Sequence, residues 1–307
     1  MNLPNKIILF HAGALGDLVN TLPAISALRE RFAEASITAV GNREWFSLFK
    51  EAGVIDDAVS IERRGLHRLF GAGELSADVR EFLSGFDLAT SWVREPLLGE
   101  RLRALGIKSV IQKDPFPPPP GSGHVSAYMA RPLVELGVEV HALYPLLDLP
   151  PDASGPTFPG ILIHPGSGSA AKNWPAPSFA RAARRLAAGS GLPLAILEGP
   201  ADRDPAGELA AELPEAMTYR ELGPLELACL VRSAKMVVGN DSGVSHLAGS
   251  LGTAVVAVFG PTDPKIWGVR QERAVNLAPV GDEGMVEVGV DEVVEAALGL
   301  LGLGAER

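Results

Sequence analysis

Met236-Val-Val-Gly239-Asn240-Asp241-Ser242-Gly243-Val244-Ser245-His246-Leu-Ala-Gly-Ser-Leu-Gly252 reads as a strand, a polar turn and a helix in immediate succession. The apolar run stops at Asn240 and a helix starts near Val244. Asp241-Ser242-Gly243 therefore sits at a helix mouth, where free backbone N–H groups and the positive dipole end favour an anion such as a diphosphate. His246 lies on the first turn, within reach of the same anion. Read locally, Ser242 or Asp241 is a plain N-cap and His246 a packing residue. A plain cap does not account for the next strand, Ala254–Phe259. It runs into Gly260-Pro261-Thr262-Asp263-Pro264-Lys265-Ile266-Trp267, a second polar, Gly/Pro-rich turn beside the first.

The same alternation extends along the chain in both directions. Strand candidates are Ile7–Phe10, Ser36–Val40, Phe86–Thr90, Ser109–Gln112, Ile161–His164 and Leu192–Leu197. Helical spacing appears over Leu22–Phe32, Trp45–Ala52, Val125–Leu136, Ser178–Ala188, Pro205–Leu213, Leu225–Ser233 and Val290–Leu301. Alternating strands and helices predict a parallel α/β protein. Lys113–Gly123, with its proline run, is a loop. Leu143–Pro159, proline-rich and without helical period, reads as a linker. Two units of similar size result, 1–150 and 151–307, with the last helix a candidate to pack back on the first unit. In such sheets ligands bind beyond the carboxyl ends of the strands, so the turns there carry the functional information.

Composition narrows the classes. The 307 residues are 47% hydrophobic and 21% charged, enough to fill a core and unlike a disordered chain. A formal charge of −10 disfavours general nucleic-acid binding. The lone Cys229 excludes an internal disulfide framework and a Cys-rich metal site. The N-terminus carries no signal-peptide pattern, and no apolar run approaches the ~20 residues of a membrane span. The expected location is cytoplasmic, with peripheral membrane contact allowed.

Three more turns come after strands. His11-Ala-Gly13-Ala-Leu-Gly16-Asp17 places two glycines and a carboxylate at a helix start; locally, Asp17 is a carboxylate favoured by the helix dipole, worth roughly 0.5 kcal/mol. His164-Pro165-Gly166-Ser167-Gly168-Ser-Ala-Ala171-Lys172-Asn173-Trp174-Pro175 mimics two motifs and matches neither. A dinucleotide fingerprint must open into a helix, which Trp174-Pro175 prevents. A P-loop needs a Ser/Thr where Asn173 stands. A small-residue loop with one lysine remains, a phosphate cradle or an ordinary solvated lysine. Leu192–Leu197 ends in Glu198-Gly-Pro, and an acidic residue at such a strand end commonly meets ribose hydroxyls.

Together these turns resemble the ADP-heptose:lipopolysaccharide heptosyltransferase family, glycosyltransferase family 9. The resemblance rests on Asp241-Ser-Gly-x-x-His246-Leu-Ala-x-x-Leu-Gly and Phe259-Gly-Pro-Thr-Asp-Pro264-x-x-Trp267. Gly16-Asp17-x-x-x-Thr21-x-Pro23, Pro165-Gly-Ser and Lys172-x-Trp174-Pro175 add to it. It covers roughly residues 6–31 and 161–267, in matching order and spacing. It implies a GT-B fold, two Rossmann-like domains facing a central cleft, with an N-terminal acceptor domain and a C-terminal donor domain. It also implies an inverting, metal-independent transfer of heptose from ADP-heptose to a growing lipopolysaccharide inner core, with no cofactor beyond the nucleotide sugar. Carried over, Asp17 is the catalytic base. Lys172 and the Ser167–Gly168 loop meet the diphosphate, Glu198 the ribose, and the backbone near Leu222 the adenine. Asp241 meets the sugar hydroxyls, and Ser242 and Gly243 cap the phosphates with His246 nearby. Departures are His11 in place of a frequent arginine, no Cys cluster after Trp267, and Gly268-Val269 for Gly-Pro. Arg63, Arg64 and Arg68 form a short basic segment that either meets acceptor phosphates or is simply solvated.

The residue types suit the chemistry. Substitution at an anomeric carbon passes through an oxocarbenium-like transition state, and single displacement needs one carboxylate to take the attacking hydroxyl's proton. Positive potential from Lys172 and the helix N-terminus would stabilise the departing ADP. Domain closure would bring Asp17 to the donor and exclude water. Two alternatives stand beside this reading: a transferase for another nucleotide sugar or acceptor, and a nucleotide-sugar-binding protein that has lost catalysis.

Overall fold

The computed structural model describes residues 3–71, 73–114, 121–140, 144–279 and 288–303, and of residue 64 only the backbone. Part of the proline run read as a loop, residues 115–120, lies outside these. The chain divides into two units, Met1–Leu143 and Tyr144–Arg307, with the division inside the segment read as a linker.

The first unit contains β1 (Lys6–His11), α1 (Leu15–Arg31), β2 (Ser36–Gly41), α2 (Arg43–Glu51) and β3 (Asp57–Ser60). A 3-10 helix (Arg63–Phe70) then leads to α3 (Ala77–Leu83), β4 (Leu88–Trp92), α4 (Pro96–Ala104), β5 (Ser109–Gln112) and α5 (Val125–Ala130), which continues as a 3-10 turn (Arg131–Leu136). Its sheet has the order β3-β2-β1-β4-β5, with every pairing parallel. Ile7, Ile8, Leu9 and Phe10 of the central strand are all fully buried, because helices cover both faces of a parallel sheet. α1 begins seven residues before the periodic run in the sequence. Its first turns bury Leu15, Leu18, Val19, Asn20 and Thr21, too much of the circumference to show a helical period.

The second unit contains β6 (Ile161–His164), a 3-10 turn (Ala170–Lys172), α6 (Ala176–Ser190), β7 (Leu194–Leu197), α7 (Arg203–Glu212), β8 (Met217–Tyr219) and α8 (Pro224–Ser233). It continues with β9 (Met236–Asn240), α9 (Gly243–Ser250), β10 (Ala254–Val258), α10 (Pro264–Trp267), β11 (Ala274–Leu277) and α11 (Val290–Leu300). The sheet order is β11-β10-β9-β6-β7-β8, again all parallel. Both units are thus doubly wound sheets whose order reverses beside the first strand, at β1/β4 and at β6/β9. Ligand crevices form at such switch points.

The last helix, a candidate from sequence to pack back on the first unit, belongs to the second. There α11 packs against α6, β10 and β11. Its Val293, Val294 and Ala297 join Phe179, Ala183 and Leu186 in one core cluster, the nearest apolar surface to which its stripe can be applied.

Candidate functional site

The switch point of the second unit brings together residues far apart in sequence. β9 ends at Asn240, whose amide holds both ends of the loop that follows β6. Its Oδ1 accepts the Trp174 N–H at 2.9 Å and its Nδ2 donates to the Pro165 carbonyl at 2.7 Å. The Pro165–Asn173 loop is thereby held over the end of β9. Within it the Ser167 hydroxyl lies 2.7 Å from the Ser169 carbonyl and from Asn173 Oδ1, which closes the turn on itself. Ser167 is half-buried and Gly168 exposed.

Lys172 emerges from that loop and donates to Asp241 Oδ2 at 2.7 Å, and the Thr262 hydroxyl donates to the same oxygen at 2.6 Å. His246 Nε2 stands 3.6 Å from Asp241 Oδ1. Asp241 is 7% exposed. Burial alone would raise its pKa, but His246, Lys172 and Thr262 beside it and the lysine's charge outweigh that and hold it at about 2. The carboxylate is therefore ionised throughout the neutral range, and Lys172 is fixed by it at the mouth of α9.

Ser242 is the N-cap of α9, its hydroxyl accepting the Ser245 N–H at 3.4 Å. The first helical N–H groups, from Gly243 on, face out of the helix start. Behind the cap is a buried relay: Ser242 Oγ lies 3.2 Å from His164 Nδ1, and His164 Nε2 lies 2.9 Å from Asp202 Oδ2. Glycine is required at 166 and, in the turn after β7, at 199, since a Cβ on Gly166 would lie 2.0 Å from the Asp202 carboxyl carbon and one on Gly199 2.4 Å from Asp202 Oδ2.

Glu198 follows β7, is mostly buried, and lies 3.8 Å from Arg220 Nε. Leu222 is half-buried in the turn after β8, next to Glu221, whose φ of 57° marks a tight reversal. By topology both stand at the same carboxyl edge as the Asp241 cluster.

In the first unit Asp17 lies in the first turn of α1, half-buried, with its Oδ2 accepting the Ala14 N–H at 3.2 Å. The helix-start reading of Asp17 is thus realised in the structure. His11, at the end of β1, is buried; its Nδ1 accepts the Gly13 N–H at 3.0 Å and its Nε2 lies 3.1 Å from Thr21 Oγ1. Burial pushes its pKa down to about 4, so the ring is neutral at physiological pH. Arg63 and Arg68 are exposed on the 3-10 helix that opens beyond the carboxyl end of β3. The Arg64 side chain is outside the described residues.

Sequence reasoning missed His164, Asp202, Asn240 and Thr262 as parts of the site. Thr262 and Asn240 stood inside quoted turns, and the polar residue ending a buried strand was the available signal. Asp202 gave none, because its partner is 38 residues away. Among the described residues, no group of three or more His, Cys, Asp or Glu side chains is disposed to hold a metal ion. No helix among them is long and apolar enough to cross a membrane. Chemically, the cluster offers an anion the helix start and one lysine, and offers hydroxyl groups a fixed carboxylate.

Lipopolysaccharide heptosyltransferase 1 of Pseudomonas aeruginosa is 29% identical over 122 residues, 40% of this chain and 34% of the relative. The chain thus spans about a third of the length of that curated relative. The crystal structure of a family 9 glycosyl transferase from Veillonella parvula matches with a TM-score of 0.81 at 20% identity, covering 98% of each chain. The Escherichia coli heptosyltransferase WaaC, solved with ADP, matches with a TM-score of 0.69 at 16% identity, covering 96% of this chain and 99% of that one. At these identities the structural likeness establishes the fold, which is GT-B. The model of glycosyltransferase family 9 (heptosyltransferase) matches residues 150–286 and so includes the whole Lys172–Asp241–Thr262 cluster, leaving the Asp17 turn outside the match. Residues 150–286, which hold that cluster, are thus similar to glycosyltransferase family 9 (heptosyltransferase), the family that the turns resemble.

Proposed function

We propose that the protein is an inverting glycosyltransferase that moves heptose from ADP-heptose to a lipopolysaccharide inner-core acceptor without a metal ion. The observation that carries this reading is the ionised, lysine-clamped Asp241 at the α9 mouth, on the switch point of a domain similar to family 9. A diphosphate set against the first N–H groups of α9, with Lys172 at its side, finds the charge complement it needs. Ser167, Gly168, Ser242 and Gly243 would border the phosphates with His246 nearby, Glu198 the ribose, and the Leu222 turn the adenine. Asp241 would accept from the sugar hydroxyls. Departure of ADP is helped by the preorganised positive potential, while Asp17 takes the proton of the attacking hydroxyl late in bond formation. Arg63, Arg64 and Arg68 would meet the anionic acceptor, and the enzyme would work in the cytoplasm with peripheral contact at the inner membrane.

Thermal unfolding with nucleotides tests the donor assignment. ADP at 100 times its Kd should add ~2.7 kcal/mol of stability, and GDP and UDP much less. A larger shift with UDP or GDP overturns the ADP reading. Transfer should persist in excess EDTA; activity lost to EDTA and restored by magnesium would show that a metal, rather than Lys172 and the helix start, neutralises the leaving diphosphate.

A further inference from the structure

We propose that His11 is a positioning residue for Asp17: its neutral imidazole, protonated on Nε2, ties Gly13 to Thr21 and thereby sets where the Asp17 carboxylate stands. The inference rests on the reading of Asp17 as the base.

The proton positions are set by the partners. The Gly13 N–H can only donate, so His11 Nδ1, 3.0 Å away, accepts and carries no hydrogen. The ring's single proton then sits on Nε2, which donates to Thr21 Oγ1 at 3.1 Å. The Thr21 hydroxyl in turn donates to the Asp17 carbonyl at 2.8 Å. A one-way chain of hydrogen bonds thus runs from the Gly13 N–H through the imidazole to the backbone of Asp17. An imidazolium would present a second donor to the Gly13 N–H, which the geometry forbids.

Packing adds to the restraint. A Cβ on Gly13 would lie 2.6 Å from His11 Cε1 and 2.6 Å from Asp17 Cβ, so the imidazole, the Gly13 backbone and the Asp17 side chain are stacked in contact. The Ala14 N–H closes the turn on Asp17 Oδ2. Trp92 lies near the ring, with centroids 6.4 Å apart, and its own indole N–H donates to the Met129 carbonyl at 3.0 Å. Every element of the turn that bears Asp17 is thus referred to a buried ring at the end of the central strand.

Three variants separate positioning from mere packing. In His11→Asn the amide oxygen can take over the Nδ1 acceptor role toward Gly13. In His11→Gln the amide reaches toward Thr21 and leaves the Gly13 N–H unmet. His11→Ala removes both. The expected result is a roughly 10- to 100-fold lower kcat for His11→Ala and a smaller loss for His11→Asn and His11→Gln, each of which keeps one of the two links, with the ADP Kd unchanged in all three. In an Asp17→Asn background the His11 changes should add no further loss, because they act through the missing carboxylate. Wild-type kcat in His11→Asn and His11→Gln, or the same loss in the Asp17→Asn background, would each overturn the inference. Should His11→Ala fail to fold, the Asn and Gln variants decide alone. Failure of the underlying reading looks different: Asp17→Asn itself would turn over normally.

Discussion

Asp17 and Asp241 both stand beside a helix start, yet their surroundings give them different work. Asp241 is buried and held by Lys172 and Thr262, with a pKa of about 2, whereas Asp17 is half-buried on a glycine turn. Asp17→Asn should cut turnover roughly 10²–10⁴-fold and leave ADP binding intact. Asparagine caps a helix as well as aspartate does, so a purely structural Asp17 would tolerate the change. Lys172→Ala should weaken ADP binding and turnover together, because a charge-assisted contact is lost. Asp241 also sets a pH dependence. Its folded pKa lies below that of an unfolded aspartate, so its contribution is complete above the unfolded value and is lost as pH falls through the folded one. That contribution is about 2–3 kcal/mol, withdrawn between about pH 5 and pH 2. Acid unfolding of the wild type should be steeper over that window than that of Asp241→Asn; parallel curves would contradict the assignment. At this scale the sequence exposed residues lying inside turns, such as Lys172 and Asp241. It hid the Asp202–His164 pair, which only the adjacency of β6 and the β7–α7 turn brings into contact.

Elements were legible where burial leaves a pattern. β1, β6, β9 and β10 are covered on both faces and read as unbroken apolar runs. β3, β8 and β11 were missed. They are sheet-edge strands of three or four residues, and Asp57-Ala-Val-Ser60 and Met217-Thr-Tyr219 are too short to show a period. The loop after β6 depends on Gly166 lying against Asp202. Gly166→Ala should destabilise the protein by about 1–3 kcal/mol, the usual cost of overpacking a closed site, and weaken ADP binding by displacing the Ser167–Gly168 turn. Chemical denaturation with and without ADP measures both, and an unchanged midpoint would show that Asp202 moves aside freely.

Over the whole molecule, each unit has its own sheet and core, and the residues assigned to donor and base belong to different units. Amide exchange should therefore slow on adding ADP in β6, β9 and α9, with β1 to β5 unchanged. Protection centred on the first unit would contradict the division of roles. The most direct measurement of the central claim is nucleoside diphosphate release from a panel of ADP-, UDP- and GDP-sugars in the presence of a lipopolysaccharide inner-core acceptor. The account predicts acceptor-dependent release of ADP from ADP-heptose, with little release from the other donors. Acceptor-dependent release from a UDP- or GDP-sugar but none from ADP-heptose would contradict it.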